Sequence, residues 1–296
     1  MNFLFYTDPH ERSDVPAKRK EKTSDEFIEN ELNNLEQMYK YADEHNIKTI
    51  INGGDLFNGW QTTNTTKLLI KIIKLHQKYD ALIEWICVGN HDLPNHRIDM
   101  IDKSNLGILQ ASGNINVVDE LNFDDIHFDM FHYTQELIDR GANDKFNIAV
   151  IHDYIFEKVI PPHFKHAYTV NELVKMMPSY YLYLCGHNQE KFIVDINGKT
   201  VINGGSFGRT KRTQGKHRTT FWDCNTETQE YLPIEVDEDL DLLDTTKDEN
   251  KMDIFVEETK EFKGETFDFR KYVEDALVSE KIEDNVKQIV YKCIGE

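Results

Sequence analysis

Five short segments carry oxygen and nitrogen donors at comparable places along the chain: Asp8-Pro9-His10, Gly54-Asp55, Gly89-Asn90-His91-Asp92, His152-Asp153 and Gly186-His187-Asn188-Gln189. Hard and borderline divalent cations prefer this mixture of carboxylate, amide oxygen and imidazole, and the set contains no thiolate. Two such ions held ~3.5–4 Å apart by a shared carboxylate can activate a water and neutralise a phosphoryl oxygen. Taken singly, an Asp-x-His or a Gly-Asp is more often a turn than a ligand. Five in order, each behind an apolar run, are not ordinary turns.

Those runs are the elements that must position the donors. Asn2–Tyr6 reads as a buried strand, because apolar and aromatic residues adjoin without alternation. Lys48–Ile51 and Leu82–Val88 precede the second and third segments, and Asn147–Ile151 and Tyr181–Cys185 precede the last two. Between them, Thr23-x-x-Glu26 is a capping box opening a helix with Phe27, Leu32, Leu35, Met38, Tyr39 and Ala42 at helical spacing, and Thr65–Lys78 is a second helix. The β-α-β-α-β order predicts an α/β fold with parallel strands, whose carboxyl ends bring the donors into one crevice. Hairpins follow. Phe192–Ile196 and Lys199–Ile202 flank an Asn197-Gly198 turn, and Thr219–Asp223 and Glu230–Ile234 form a second pair.

In this order the segments resemble the signature of the calcineurin-like metallophosphoesterase superfamily across roughly residues 1–232. Within it, Gly54-Asp55-Leu56-Phe57, Gly89-Asn90-His91-Asp92-Leu93-Pro94 and Asn203-Gly204-Gly205-Ser206-Phe207-Gly208-Arg209 are most similar to the nuclease subunit of SbcCD-type double-strand-break repair exonucleases, in its shorter phage-encoded form. The Gly-Asp-x-Val-Asp-Arg-Gly and Gly-Asn-His-Glu forms of protein Ser/Thr phosphatases are absent. The resemblance implies a four-layer α/β/β/α sandwich and a hydrolase using two divalent metals, Mn²⁺ first, with Mg²⁺, Fe²⁺ and Zn²⁺ as alternatives. It places Asp8 and His10 on one metal, Asp55 as the bridge, and Asn90, His152 and His187 on the other. His91 is implied to face the scissile phosphate and assist the leaving oxygen, while Asp92 holds its turn or orients a neighbour. Two positions depart from the pattern. Gln189 stands where the family has a second histidine, so it ligates through its carbonyl, yields to a water, or leaves the site inactive. Asn58 stands where the family often has His or Asp.

The composition bears on the substrate. With 34 Lys+Arg against 53 Asp+Glu, the 296-residue chain carries a formal charge of −19, which argues against indiscriminate coating of nucleic acid or anionic lipid. A mean hydropathy of −0.59 and the lack of any run near ~18 apolar residues exclude a helical membrane span, and the N-terminus is too short and acid-ended for a signal peptide. Cys87, Cys185, Cys224 and Cys293 lie far apart and read as reduced thiols of a cytoplasmic protein. Two basic clusters interrupt the acidic background. Arg12, Lys18, Arg19, Lys20 and Lys22 follow the first motif, and Arg209, Lys211, Arg212, Lys216 and Arg218 follow the last; both are candidates to contact DNA phosphates.

The organisation expected is a nuclease domain over 1–234, an acidic linker over 235–253 with nine acidic residues, and a short α-rich extension over 254–296. The amphipathic Lys271–Ile294 stretch suits packing on the core or docking. Relatives of the resembling type dimerise and dock a coiled-coil ATPase of the SbcC kind, so a homodimer and such a partner are expected alongside DNA. The rival readings are a small-nucleotide phosphodiesterase or phosphatase, and a non-catalytic scaffold on the same fold.

Overall fold

The computed structural model describes residues 1–15, 23–61, 66–141, 144–207 and 220–234. The 235–253 linker, the 254–296 extension and Cys293 lie outside the described residues. The elements run β1 (Phe3–Tyr6), α1 (Ser24–Glu44), β2 (Thr49–Asn52), α2 (Thr66–Lys78), β3 (Ile83–Ile86), 3₁₀ turns at Pro94–His96 and Ile98–Lys103, α3 (Asn105–Ala111), β4 (Asn116–Val117), β5 (Glu120–Asn122), β6 (Ile126–Phe131), β7 (Phe146–Asp153), β8 (Ile155–Phe156), β9 (Tyr168–Thr169), α4 (Val170–Met176), β10 (Leu182–His187), β11 (Phe192–Ile196), β12 (Lys199–Asn203), β13 (Thr220–Cys224) and β14 (Gln229–Pro233).

Two six-stranded sheets result. One has the order β14-β13-β1-β2-β3-β4, with β1 to β4 parallel; the other has the order β11-β12-β10-β7-β6-β5, with β12, β10, β7 and β6 parallel. Period-two alternation along β1 explains how the layers stack. Leu4 and Tyr6 face α1, α2 and α3, packing with Ile28, Leu35, Met38, Leu68, Ile72 and Leu106. Phe3 and Phe5 point the other way, into an inter-sheet layer with Phe128, Met130, Ile148, Val150, Leu184 and Trp222. The far face of the second sheet buries Ala149, Ile151, Tyr183 and Val201 against Val170, Leu173 and Val174 of α4. The architecture is therefore the expected α/β/β/α sandwich.

Local chemistry sets the element ends. The Thr23 hydroxyl accepts the Glu26 N–H at 3.2 Å, and Asp25 and Glu26 lie in the first turn of α1, where acids oppose the helix dipole. A complete capping box closes instead on α4, between Thr169 and Glu172. Asn197 (φ 52°) and Gly198 (φ 72°) make the tight turn joining β11 to β12, and β13 pairs antiparallel with β14. Cys87, Cys185 and Cys224 are buried free thiols, and burial pushes all three thiol pKa values up. No helix among the described residues is long and apolar enough to cross a membrane.

Candidate metal centre

The donor segments follow strands of both sheets. Asp8, Asp55 and Asn90 stand in loops after β1, β2 and β3, while His152 and His187 lie at the ends of β7 and β10. The donors thus meet across the top of the sandwich, where the carboxyl ends of two sheets face each other. Backbone pairing zips the first two loops together. The N–H groups of Asp8, His10 and Glu11 donate to the carbonyls of Gly54 (3.0 Å), Asp55 (3.1 Å) and Leu56 (2.8 Å). Asp8, His10, Asp55 and His187 all adopt left-handed backbone, with φ of 53°, 53°, 52° and 71°. That conformation costs free energy in residues with a Cβ and gathers at functional sites. Gly89 is required for a different reason: a Cβ there would lie 2.1 Å from Asp55 Oδ1 and 2.4 Å from Asp55 N.

Asp55 is common to two donor clusters. His10, Asp55 and His91 present ligand atoms within 4.8 Å of one another, and so do Asp55, His152 and His187. Asp55 Oδ2 lies 3.3 Å from His152 Nε2 and 3.9 Å from His10 Nε2, while Asp8 Oδ1 lies 3.6 Å from His10 Nε2. Asp55 Oδ1 accepts the His91 N–H at 2.8 Å, and Asp8 Oδ2 accepts from the Thr7 hydroxyl (2.6 Å) and the His187 N–H (3.0 Å). The Gln189 amide nitrogen lies 3.0 Å from His10 Nε2, so turning the amide over would present its carbonyl oxygen at that point.

Two imidazoles have their tautomer set from behind, as metal-site histidines commonly do. His152 Nδ1 donates to the Gly53 carbonyl at 2.6 Å, which directs Nε2 inward. His91 Nδ1 donates to the Asn58 carbonyl at 2.8 Å, leaving Nε2 to act. The Asn58 side chain is therefore not what serves His91; its backbone is.

A cation fits this donor set. Asn90 Oδ1 and His187 Nε2 are buried atoms with no hydrogen-bond partner, while Asp8 Oδ1 and His152 Nε2, equally buried, have only ion-pair contacts with His10 and Asp55, and all four belong to the proposed ligands. A buried polar group without a partner costs about 1–3 kcal/mol, so the two orphaned atoms leave a deficit that coordination would remove. The electrostatics agree. Burial works against charge on Asp55, but His152, His10 and His91 overcome it and hold its pKa well below the carboxylate range. Burial also opposes a proton on His152, yet Asp55 and Asp8 push that pKa up to about 10. His187 is pushed down to about 3 by burial and by the neighbouring His152. A cation takes neutral imidazole, so loading the site would release the His152 proton.

Asp92 does not join the donors. Fully buried, it accepts the Phe57 N–H (3.1 Å) on one oxygen and the Gly89 N–H (3.0 Å) on the other, tying the second loop to the third. Burial and the charge of Asp55 push its pKa up to about 7. Further residues support the donors, among them Asn203 and Ser206 of the segment after the last donor motif. Asn52 Oδ1 accepts the Gly54 N–H (2.9 Å) and Asn203 Oδ1 the Gly205 N–H (3.0 Å), while the Ser206 hydroxyl donates to the Asp8 carbonyl (3.1 Å). The repeated Asn-Gly-Gly at 52–54 and 203–205 is the signal that marks this turn. Beneath Asn52, buried Glu84 accepts from the Tyr6 and Tyr39 hydroxyls (both 2.6 Å) and from Asn52 Nδ2 (3.0 Å).

Of the DNA-contact candidates, Arg12 is described, and its guanidinium pairs with Asp14. Lys18, Arg19, Arg209, Lys211, Arg212, Lys216 and Arg218 lie outside the described residues. A third donor cluster, Glu120, His127 and Asp129, also has ligand-like spacing. There Asp129 already engages His127 Nε2 (2.9 Å), Arg140 Nε (3.0 Å) and the Tyr180 hydroxyl (2.6 Å), so it is a neutralised network in the sheet.

The family model for calcineurin-like phosphoesterases matches residues 1–256. No curated protein matches the chain in sequence. Among solved structures, it is similar to a novel archaeal phosphodiesterase at 15% identity, covering 79% of this chain and 99% of that one, with a TM-score of 0.42. It is also similar to a nuclease from Pseudomonas putida at 15% identity, covering 78% and 87%, with a TM-score of 0.37.

Proposed function

Because the chain belongs to the calcineurin-like phosphoesterase family, we propose that it is a metal-dependent phosphodiesterase that hydrolyses DNA, of the SbcCD nuclease-subunit kind. The observation that carries this reading is Asp55, whose carboxylate stands within ligand range of two separate histidine sets. Asp8, His10, Asp55 and Gln189 would hold one divalent cation, and Asp55, Asn90, His152 and His187 the other, with Mn²⁺ suited to this mixture of oxygen and imidazole donors. When bound, the pair supplies charge neutralisation for a phosphoryl oxygen and an activated water. With its Nδ1–H committed to the Asn58 carbonyl, His91 presents Nε2 to the leaving oxygen, and a proton would pass from there only out of the imidazolium form. Asp92 sets the distance between the Gly54-Asp55 and Asn90-His91 loops.

DNA as substrate is supported by the nuclease-like form of the second and third motifs and by the two basic sequence clusters beside the first and last. A coiled-coil ATPase partner, a homodimer and a cytoplasmic site of action belong to the same proposal and rest on the sequence resemblance. The test is a Mn²⁺-dependent nuclease assay on defined single- and double-stranded DNA. Wild type should cut, Asp55→Ala should abolish cutting, and His91→Ala should lose turnover while keeping its metal content. Metal-independent cutting, or turnover indifferent to Asp55→Ala, would overturn the assignment.

A further inference from the structure

The rim of the centre is chemically lopsided. Around His10 and His91 it offers imidazole and amide groups, whereas beside His152 and His187 it is lined by aromatic rings. Tyr133 follows β6 and donates its N–H to the Val88 carbonyl at 2.9 Å, so it is pinned to the segment that joins β3 to Asn90 and His91. Its ring centroid lies 5.4 Å from that of His187 and 6.4 Å from that of His152. Tyr154 comes two residues after His152 and donates its N–H to Asp153 Oδ1 at 2.7 Å. Its ring lies 3.9 Å from His187 and is buttressed edge-on by Phe164 at 4.5 Å. Both tyrosines are only half-buried, and neither hydroxyl takes a hydrogen bond among the described residues.

We propose that Tyr133 and Tyr154 form a stacking wall for a nucleobase on the His187 side of the centre. The inference rests on the phosphodiesterase reading and adds the class of substrate arm that the site selects. A phosphodiester carries two arms. The phosphate and sugar have no use for an apolar aromatic surface, but an unpaired base has, because every base offers a π-face to a held ring. Buttressing by Phe164 and the backbone tethers fix the rings beforehand, so little ordering is required on binding. Orienting His187 alone would need only bulk, and that is the alternative to be tested.

The probe is a single-stranded hexanucleotide of alternating 2-aminopurine and thymine, together with its fully abasic twin, titrated at low salt once with Mn²⁺ and once with chelator. Stacking quenches 2-aminopurine fluorescence. Wild type should quench it and bind the base-bearing strand about 5- to 150-fold more tightly than the abasic twin, the range one stacked base gives. Tyr133→Leu with Tyr154→Leu keeps bulk and should lose both quenching and discrimination, whereas the Tyr→Phe pair should keep both. Equal affinity of wild type for the two strands, or quenching unchanged in the Leu pair, overturns the proposal. If the Leu pair fails to fold, the wild-type comparison with the abasic twin decides. Quenching that is retained without DNA hydrolysis would sink the nuclease reading and leave the wall standing.

Discussion

His132 gives a prediction whose size follows from the geometry. It is 3% exposed, and its Nδ1 accepts the Val88 N–H at 2.9 Å, immediately before the Gly89-Asn90-His91 loop. A proton on Nδ1 would set N–H against N–H in a buried place. Burial, aided by the Arg140 and His152 charges and opposed by Asp119, pushes the pKa down to about 4. The unfolded chain binds the proton with a pKa near 6.5, so between about pH 6.5 and 4 the unfolded state holds more protons and stability falls as pH falls. The loss from this group is about 2 kcal/mol at pH 5 relative to pH 7.5, approaching 3 kcal/mol at pH 4. His132→Asn puts an amide oxygen where Nδ1 was and removes the titration. Urea unfolding of chelator-treated wild type and variant, followed by far-UV circular dichroism at pH 7.5 and 5, measures the difference. Other titrating groups are common to both proteins and cancel. The variant should lose about 2 kcal/mol less than wild type over this interval, and parallel losses would refute the reasoning.

Three further outcomes are expected. Gly89→Ala drives a Cβ into Asp55, so metal affinity by isothermal titration should fall about 10- to 100-fold, the usual effect of disturbing a ligand's support, with far-UV spectra preserved. Gln189→His puts an imidazole beside His10 Nε2, so Mn²⁺ should bind more tightly and activity at limiting metal should rise; unchanged affinity would show that position 189 does not ligate. Loading the site should also stabilise the fold, because the buried Asp8, Asn90, His152 and His187 atoms, none of them hydrogen-bonded, gain a ligand. At a hundredfold excess over Kd the gain is about 2.7 kcal/mol, visible as a rise in Tm that Asp55→Ala abolishes.

Most of the strands that launch the donors were legible because they are buried on both faces and therefore read as unbroken apolar runs, as in Phe3–Tyr6 and Leu182–Cys185, whereas β3 leaves Ile83 exposed and carries Glu84. β6 was not. Ile126-His127-Phe128-Asp129-Met130-Phe131 alternates like a strand with one wet face, yet all six residues are buried, because His127, Asp129, Arg140 and Tyr180 neutralise one another. The division of donors between two sheets was equally hidden, since the local pattern of strand, glycine and ligand is the same in both. The chain changes sheets between β4 and β5, through Val118 and Asp119, a stretch with no distinctive signature. Tyr133 and Tyr154 left no mark either, because a tyrosine after a strand is ordinary until its neighbours in space are known.

The polar interior around the centre follows from what the donors demand. Four left-handed ligand residues and buried donor atoms that lack a hydrogen bond make the top of the sandwich locally unfavourable, and such strain persists only where the surroundings over-determine it. Glu84 shows how this is done. A carboxylate within the helix-facing layer is a poor choice for stability alone. Here it takes three donors, and one of them, Asn52, uses its other end to fix Gly54 in the turn that leads to Asp55. Asp92 does the same between the second and third loops, and Thr7 and Ser206 do it for Asp8. The loops that carry Asp8, Asp55, Asn90 and His91 are thereby each held by a polar group from a strand or a neighbouring loop. This is how a set of short loops can keep donors from two different sheets within a few ångströms of one shared carboxylate.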